Sequence, residues 1–134
     1  MGNHYHLLIN TPRGNLDIGM RYLNSMYAQK FNKTRKKDGP VFRDRYKSVV
    51  VQDQRYLLNL TRYIHRNPVE AQLITSPEKY EWSSCQDFIS SEGRLPWLSL
   101  ELANLHGDYL AYVNQPIKEK LRDVYLKKQT PRFL

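Results

Sequence analysis

The segment Asn3-His4-Tyr5-His6-Leu7-Leu8-Ile9 constrains this chain more than any other. Aromatic and branched residues dominate it and Asn10-Thr11-Pro12 closes it, so it reads as a β-strand. Alternation puts His4, His6 and Leu8 on one face, and Tyr5, Leu7 and Ile9 on the other. The two imidazoles then stand about 7 Å apart along the backbone, close enough to converge on one metal ion or one phosphate. The bland alternative is two unrelated histidines on a half-exposed strand. The sharper reading therefore needs a partner further along the chain.

Charge points to the kind of molecule such a site would meet. The chain has a formal net charge of +8, unevenly spread. Residues 13–66 hold 13 Lys and Arg against four Asp and Glu, whereas the rest holds eight against nine. A continuous basic half favours a polyanionic partner, nucleic acid before a membrane surface. The chain also has ten tyrosines, many for its length, some of them interleaved with Arg and Lys. Rings and guanidinium planes of that kind suit stacking on single-stranded bases, although most of the tyrosines are expected in the core and its rim. Cys85 is the lone cysteine, so no disulfide within the chain and no cysteine-based zinc site is possible. A reducing, cytoplasmic setting fits. No run is apolar and long enough to span a bilayer.

The strand stands almost at the start, so it is an edge or its sheet is completed by later strands or by another chain. Arg13-Gly14-Asn15 makes a turn and a helix cap. Leu16, Met20, Leu23, Tyr27 and Phe31 recur at three- and four-residue steps and predict a helix of about four turns. Residues 33–40 form a basic, turn-rich loop. Ser48-Val49-Val50-Val51 is β-branched and predicts a second strand. Asp53 caps the next helix, whose stripe is Tyr56, Leu57, Leu60, Tyr63 and Ile64. That helix is expected to end near Arg66-Asn67, because proline disfavours helical geometry in the residue before it and Pro68 follows. Trp82 reads as sealing the core, with Ser83-Ser84 capping a short helix through Phe88. Ser99 opens another helix, Gly107 breaks it, and residues 109–113 and 117–126 read as further helix before a loose tail.

Helix 53–67 supplies the partner for the histidines. Tyr63 and Asn67 lie four residues apart on one helix face. A phenol is a usable nucleophile when a metal or base assists it, and an amide carbonyl is a competent ligand for a hard cation. Two imidazoles and one amide leave room at a metal for a phosphate oxygen and water. The competing reading of Tyr63 is a core tyrosine beside Tyr56 and Leu60. His65 points elsewhere on the helix and reads as structural or DNA-adjacent. No Gly-rich phosphate loop, Gly-x-Ser-x-Gly elbow or His-Glu-x-x-His occurs.

Asn3-His4-Tyr5-His6-Leu7-Leu8, Asn15-Leu16 to Met20, Val41-Phe42 with Arg45-Tyr46-Lys47, Arg62-Tyr63-Ile64-His65-Arg66-Asn67-Pro68-Val69 and Trp82-Ser83-Ser84 appear in that order. This series resembles the single-tyrosine HUH transposases, in particular the branch associated with repetitive extragenic palindromes. It covers nearly the whole chain. The resemblance implies an α+β fold with a ferredoxin-like antiparallel sheet, helices on one face and a helical C-terminal part. It implies a core over residues 1–90 and a helical extension of the same domain over 91–134. It implies Mg²⁺ or Mn²⁺ on His4 and His6, with Asn67 where the family places a third polar ligand. Tyr63 would be the nucleophile that cleaves single-stranded or hairpin DNA through a 5′-phosphotyrosine intermediate. Arg13, Lys36, Lys37, Arg43, Arg45, Tyr46 and Lys47 are where the DNA would be placed. The family usually carries several dozen residues before the His-hydrophobe-His strand, and has Pro where Gly2 stands. The expectation is a truncated copy, a fragment, or a homodimer or other assembly that completes the sheet between chains. The alternative is a catalytically inactive, truncated transposase-like protein that still binds DNA.

Overall fold

A computed structural model describes residues 3–90, 95–104 and 107–116. The chain divides into two compact units, Ile9–Ser48 and the combination of Met1–Leu8 with Val49–Leu134.

In the first unit the turn comes one step earlier than Arg13-Gly14-Asn15 suggested. Gly14 N–H donates to the Thr11 carbonyl at 3.0 Å, so Pro12 and Arg13 are the central turn residues. Gly14 itself takes a positive φ of 63°, a conformation in which glycine bears no Cβ penalty. Helix α1 then spans Leu16–Arg35. Asn15 stands at the N-cap position but makes no side-chain capping bond. Met20 is buried, and Leu16 and Phe31 are half-buried. Tyr27 stacks on Phe31 at 6.0 Å between ring centroids and tilts against Phe42 at 5.7 Å, bringing the returning chain back along the helix. The stripe is only partly covered: Leu23 and Tyr27, both expected to be buried, remain about half exposed.

The second unit is built on helix α2, Gln54–Glu70. Asp53 caps it as expected, accepting the Tyr56 N–H at 2.7 Å. The helix does not stop before Pro68; it runs one turn further. Proline removes a helical N–H donor and crowds the preceding turn. Here its ring is buried, and its carbonyl accepts the Leu73 N–H at 2.9 Å. Together with Gln72 N–H donating to the Val69 carbonyl, this closes the helix in a Schellman pattern. Gln72 occupies the left-handed position at φ 56°. A 3₁₀ turn at Pro77–Lys79 follows, then α3 (Cys85–Ser90), α4 (Glu101–Asn104) and α5 (Tyr109–Asn114). Ser83 Oγ accepts the Cys85 N–H at the start of α3, and Asp108 caps α5 by accepting the Ala111 N–H at 2.9 Å.

Cys85, Phe88, Tyr109 and Val113 form the core of this unit, with Ile89, Leu98, Leu100 and Leu102 against it. α2 packs on α5 and on the 3₁₀ turn, and α3 packs on both of those. Trp82 is not part of this core. It is 80 % exposed and stands in the turn before α3, whose buried positions begin at Cys85.

Among the described residues the expected α+β fold with its ferredoxin-like antiparallel sheet is not present. Among the described residues the regular structure is helical, with no β-strand. Residues 4–10 and 47–52 are non-helical, but among the described residues neither pairs with a neighbouring strand. Strand character in a sequence is half a statement, since a strand exists only when a second one satisfies its N–H and C=O groups. The consequence shows in the side chains: Tyr5, Leu7, Leu8, Ile9, Val49 and Val50 are all exposed. The expected loop at residues 92–96 lies only in part within the described residues, and the expected helix 117–126 with its tail lies outside them.

Candidate functional site

The histidines of the first segment and the tyrosine of α2 come together in one unit. His4 and His6 lie edge to face, with ring centroids 5.1 Å apart and planes at 87°. His6 in turn meets the Tyr63 ring at 6.0 Å and 73°. The alternation of a non-helical backbone explains the first contact, since residues two apart project to the same side. The second is tertiary, because α2 carries Tyr63 to a point far away along the chain.

His4 is exposed and His6 half-buried. Asn3 Oδ1 lies 2.7 Å from His4 Nδ1. A carbonyl oxygen only accepts, so Nδ1 donates. Burial and the neighbouring His4 push the pKa of His6 down from 6.5, so this ring is neutral at pH 7. A neutral, desolvated imidazole is the form that ligates a cation or accepts a proton. The pair thus fits a metal ion in donor type, and imidazole suits Mn²⁺ better than Mg²⁺, which prefers an all-oxygen shell. Among the described residues no three His, Cys, Asp or Glu side chains gather into a metal-holding group. A third protein ligand would have to be of another kind, such as an amide. Asn67 is half-buried one turn beyond Tyr63, and its backbone carbonyl accepts the Ala71 N–H. Tyr63 itself is buried, at 7 % exposure.

His65, two residues on, has a different role. It is 2 % exposed. Its Nδ1 is 2.7 Å from Tyr109 Oη and its Nε2 is 2.9 Å from Ser84 Oγ. Both partners can donate or accept, so either neutral tautomer is satisfied. Phe88 and Tyr109 pack edge-on against the ring at 5.0 and 5.7 Å. Burial lowers its pKa to about 4. His65 is therefore a structural tie from α2 to α5 and to the start of α3. Burial likewise pushes the Cys85 thiol up to about 12, which leaves it inert as a nucleophile at neutral pH.

The seven cationic and aromatic residues expected to touch DNA all belong to the other unit. Arg13, Lys36, Lys37, Arg43, Arg45 and Lys47 are exposed, and Tyr46 is half-buried. One residue that sequence reasoning passed over holds their loop in place. Asn32 accepts the Lys37 N–H with its backbone carbonyl at 3.0 Å, and its side-chain amide donates to the Gly39 carbonyl at 2.9 Å. Lys36 takes the left-handed conformation, φ 49°, which turns the chain out of the helix. The Arg35 guanidinium lies over the Phe31 ring at 6.0 Å. The available signal was an amide near the end of a helix that runs into a Gly-containing loop.

Arg62 and Arg66 were also missed. They lie one turn apart on α2. Arg62 is 8 % exposed and lies over the Tyr112 ring at 5.0 Å. Arg66 donates to the Asn114 carbonyl at 2.7 Å and pairs with Glu70 at 3.1 Å. A cation at the last carbonyls of α5 matches the negative end of its dipole. These two side chains bind α5 to the helix that carries Tyr63.

No family model matches the chain, and neither the curated proteins nor the solved structures include a significant match. No helix among the described residues is long and apolar enough to cross a membrane.

Proposed function

We propose that this chain binds single-stranded or hairpin DNA and cleaves it by transesterification through Tyr63, as the single-tyrosine HUH transposases that its motifs resemble do. The observation that supports this is the meeting of His4 and His6 with Tyr63, a nucleophile beside two imidazoles, in a strongly basic chain. In the step, Tyr63 Oη attacks a phosphodiester phosphorus and the bond to the 3′-oxygen breaks. The products are a 5′-phosphotyrosine and a free 3′-hydroxyl. The phenol loses a proton and the 3′-oxygen gains one. The tyrosyl ester keeps the energy of the broken bond, so the strand can be rejoined or transferred without ATP. His4 and His6, with Asn67 as a third donor, would hold Mg²⁺ or Mn²⁺, which supplies positive charge to the scissile phosphate. Exposed cations from Arg13 to Lys47 would bind DNA phosphates through their charge. A cytoplasmic setting, where DNA is within reach, belongs to this reading.

A second reading has its own support. Tyr63 is only 7 % exposed, so a phosphate must displace packing to reach it. Under that reading the chain is a transposase-like DNA-binding protein that does not cleave. One experiment separates the two. The chain is incubated with an end-labelled single-stranded hairpin and Mn²⁺ and run on a denaturing gel. A covalent adduct that disappears in Tyr63→Phe is the expected result. Hairpin binding with no adduct would establish the second reading, and cleavage with no adduct would assign the attack to water instead.

A further inference from the structure

Three aromatic rings meet in the unit Ile9–Ser48, and one of them is left open. Tyr27 stacks on Phe31, with ring centroids 6.0 Å apart and planes at 25°, and tilts against Phe42 at 5.7 Å. Both separations lie within the range at which rings attract, so the plane of Tyr27 is set by its neighbours. Tyr27 is nonetheless 53 % exposed, whereas Phe31 and Phe42 are half-buried. An exposed aromatic by itself needs no explanation. Trp82 is more exposed still, but it stands beside Glu81 in a part of the chain with no excess of positive charge. The surroundings of Tyr27 are different. Its unit holds ten Lys and Arg against three Asp and Glu. The stretch from Lys30 to Lys37 has five cations and no acid. Lys30 is about one turn from Tyr27 on α1, the Arg35 guanidinium lies over the Phe31 ring, and Arg43 follows Phe42. Lys30, Arg35 and Arg43 are all exposed.

We propose that Tyr27, held by Phe31 and Phe42, is the platform on which one unpaired base of a single-stranded DNA stacks, while Lys30, Arg35 and Arg43 bind phosphates of the same strand. This rests on the reading of the chain as a DNA-binding protein, and goes further by placing a base. Three features select the ligand. A base presents a flat π-face, which matches a ring already held in plane by its neighbours, so little side-chain freedom is lost on binding. A nucleotide joins that face to a phosphate, and here an open ring and cations stand within about one turn of each other. An apolar peptide would cover the ring but leave the cations without anions. Finally, a base inside a duplex already has both faces covered, so the ring can act only on an unpaired one. Charge alone would draw duplex DNA at least as strongly, since its phosphates are denser.

Fluorescence anisotropy of the full chain with a labelled oligothymidylate tests it. The strand is used single, paired with its complement, and in a form of the same length that carries abasic sugars. Tyr27→Leu keeps an apolar side chain against Phe31 and Phe42 but removes the π-face. It is expected to weaken binding of the single strand about tenfold or more, and to leave binding of the duplex and the abasic strand unchanged. The slope of log K against log salt is expected to stay the same, because stacking releases no counterions. Tyr27→Phe is expected to bind like the unaltered chain, and all three proteins to give the same helical circular dichroism. Single-strand affinity untouched by Tyr27→Leu would overturn the platform; salt-dependent binding in that same experiment would leave the DNA-binding reading standing. An equal loss on all three forms of the strand would overturn it too, because the side chain would then act through the fold rather than on a base. No binding of any form by the unaltered chain would overturn both the platform and the reading beneath it.

Discussion

Acidification should destabilise this protein through His65, and the size of the effect follows from its surroundings. The ring is buried between Tyr109, Ser84 and Phe88, with both nitrogens hydrogen-bonded. Burial brings its pKa from 6.5 to about 4. The unfolded chain therefore takes up this proton at a higher pH than the folded chain does. The stability associated with a neutral His65 is complete above about pH 6.5, and declines as the pH falls toward 4. At about 1.4 kcal/mol for each pH unit, the loss reaches about 3 kcal/mol. That is a large part of the 5–15 kcal/mol typical of a domain. Protonation does not break the two hydrogen bonds outright, since the phenol and the hydroxyl can both accept; the cost is a charge without a counter-ion in an apolar site. Urea denaturation in metal-free buffer, at half-unit steps from pH 7.5 to 4, measures this. Carboxylates add their own slope, so the quantity to compare is the difference between the unaltered chain and His65→Gln. The unaltered chain should converge on the variant as the pH falls. Parallel curves, or a folded-state His65 ring that titrates near 6.5 by NMR, would refute the reasoning.

Three other outcomes follow from single residues. Asp53→Ala removes the oxygen that accepts the Tyr56 N–H and should cost about 1 kcal/mol by thermal or chemical denaturation. Gln72→Gly should stabilise by up to about 1 kcal/mol, because Gln72 sits at a positive φ of 56° where a Cβ is strained; a decrease would show that the side chain contributes more than the strain removes. Lys36→Ala combined with Lys37→Ala should weaken hairpin binding and reduce the slope of log K against log salt by about two, whereas an unchanged slope would take the loop out of the interface.

How much of this was legible before folding differs from element to element. α1 and α2 were readable because a helix closes its hydrogen bonds locally and announces its buried side every three or four residues. The cap at Asp53 was readable for the same reason. Pro68 misled because its penalty is local, whereas its compensation, ring burial and the Leu73 hydrogen bond, depends on what folds back after the helix. Trp82 misled because aromatic size suggests a core without saying which side of a short helix meets it. The paired histidines were visible as a spacing and Tyr63 as a position. That His6 lies 6.0 Å from Tyr63 was not visible, because that contact joins the first segment to a helix far along the chain.

The sequence by itself determined the local facts: a basic half, two long helices, a cap, a lone cysteine, and two histidines two residues apart. Only the tertiary structure decided whether Asn3–Ile9 joins a sheet, which tyrosine faces the histidines, and that His65 and Arg62 are buried. The physical reason is the range of the forces involved. Helical hydrogen bonds and charge patterns are set within a few residues. Strand pairing and desolvation are set by neighbours that arrive only when distant parts of the chain pack together.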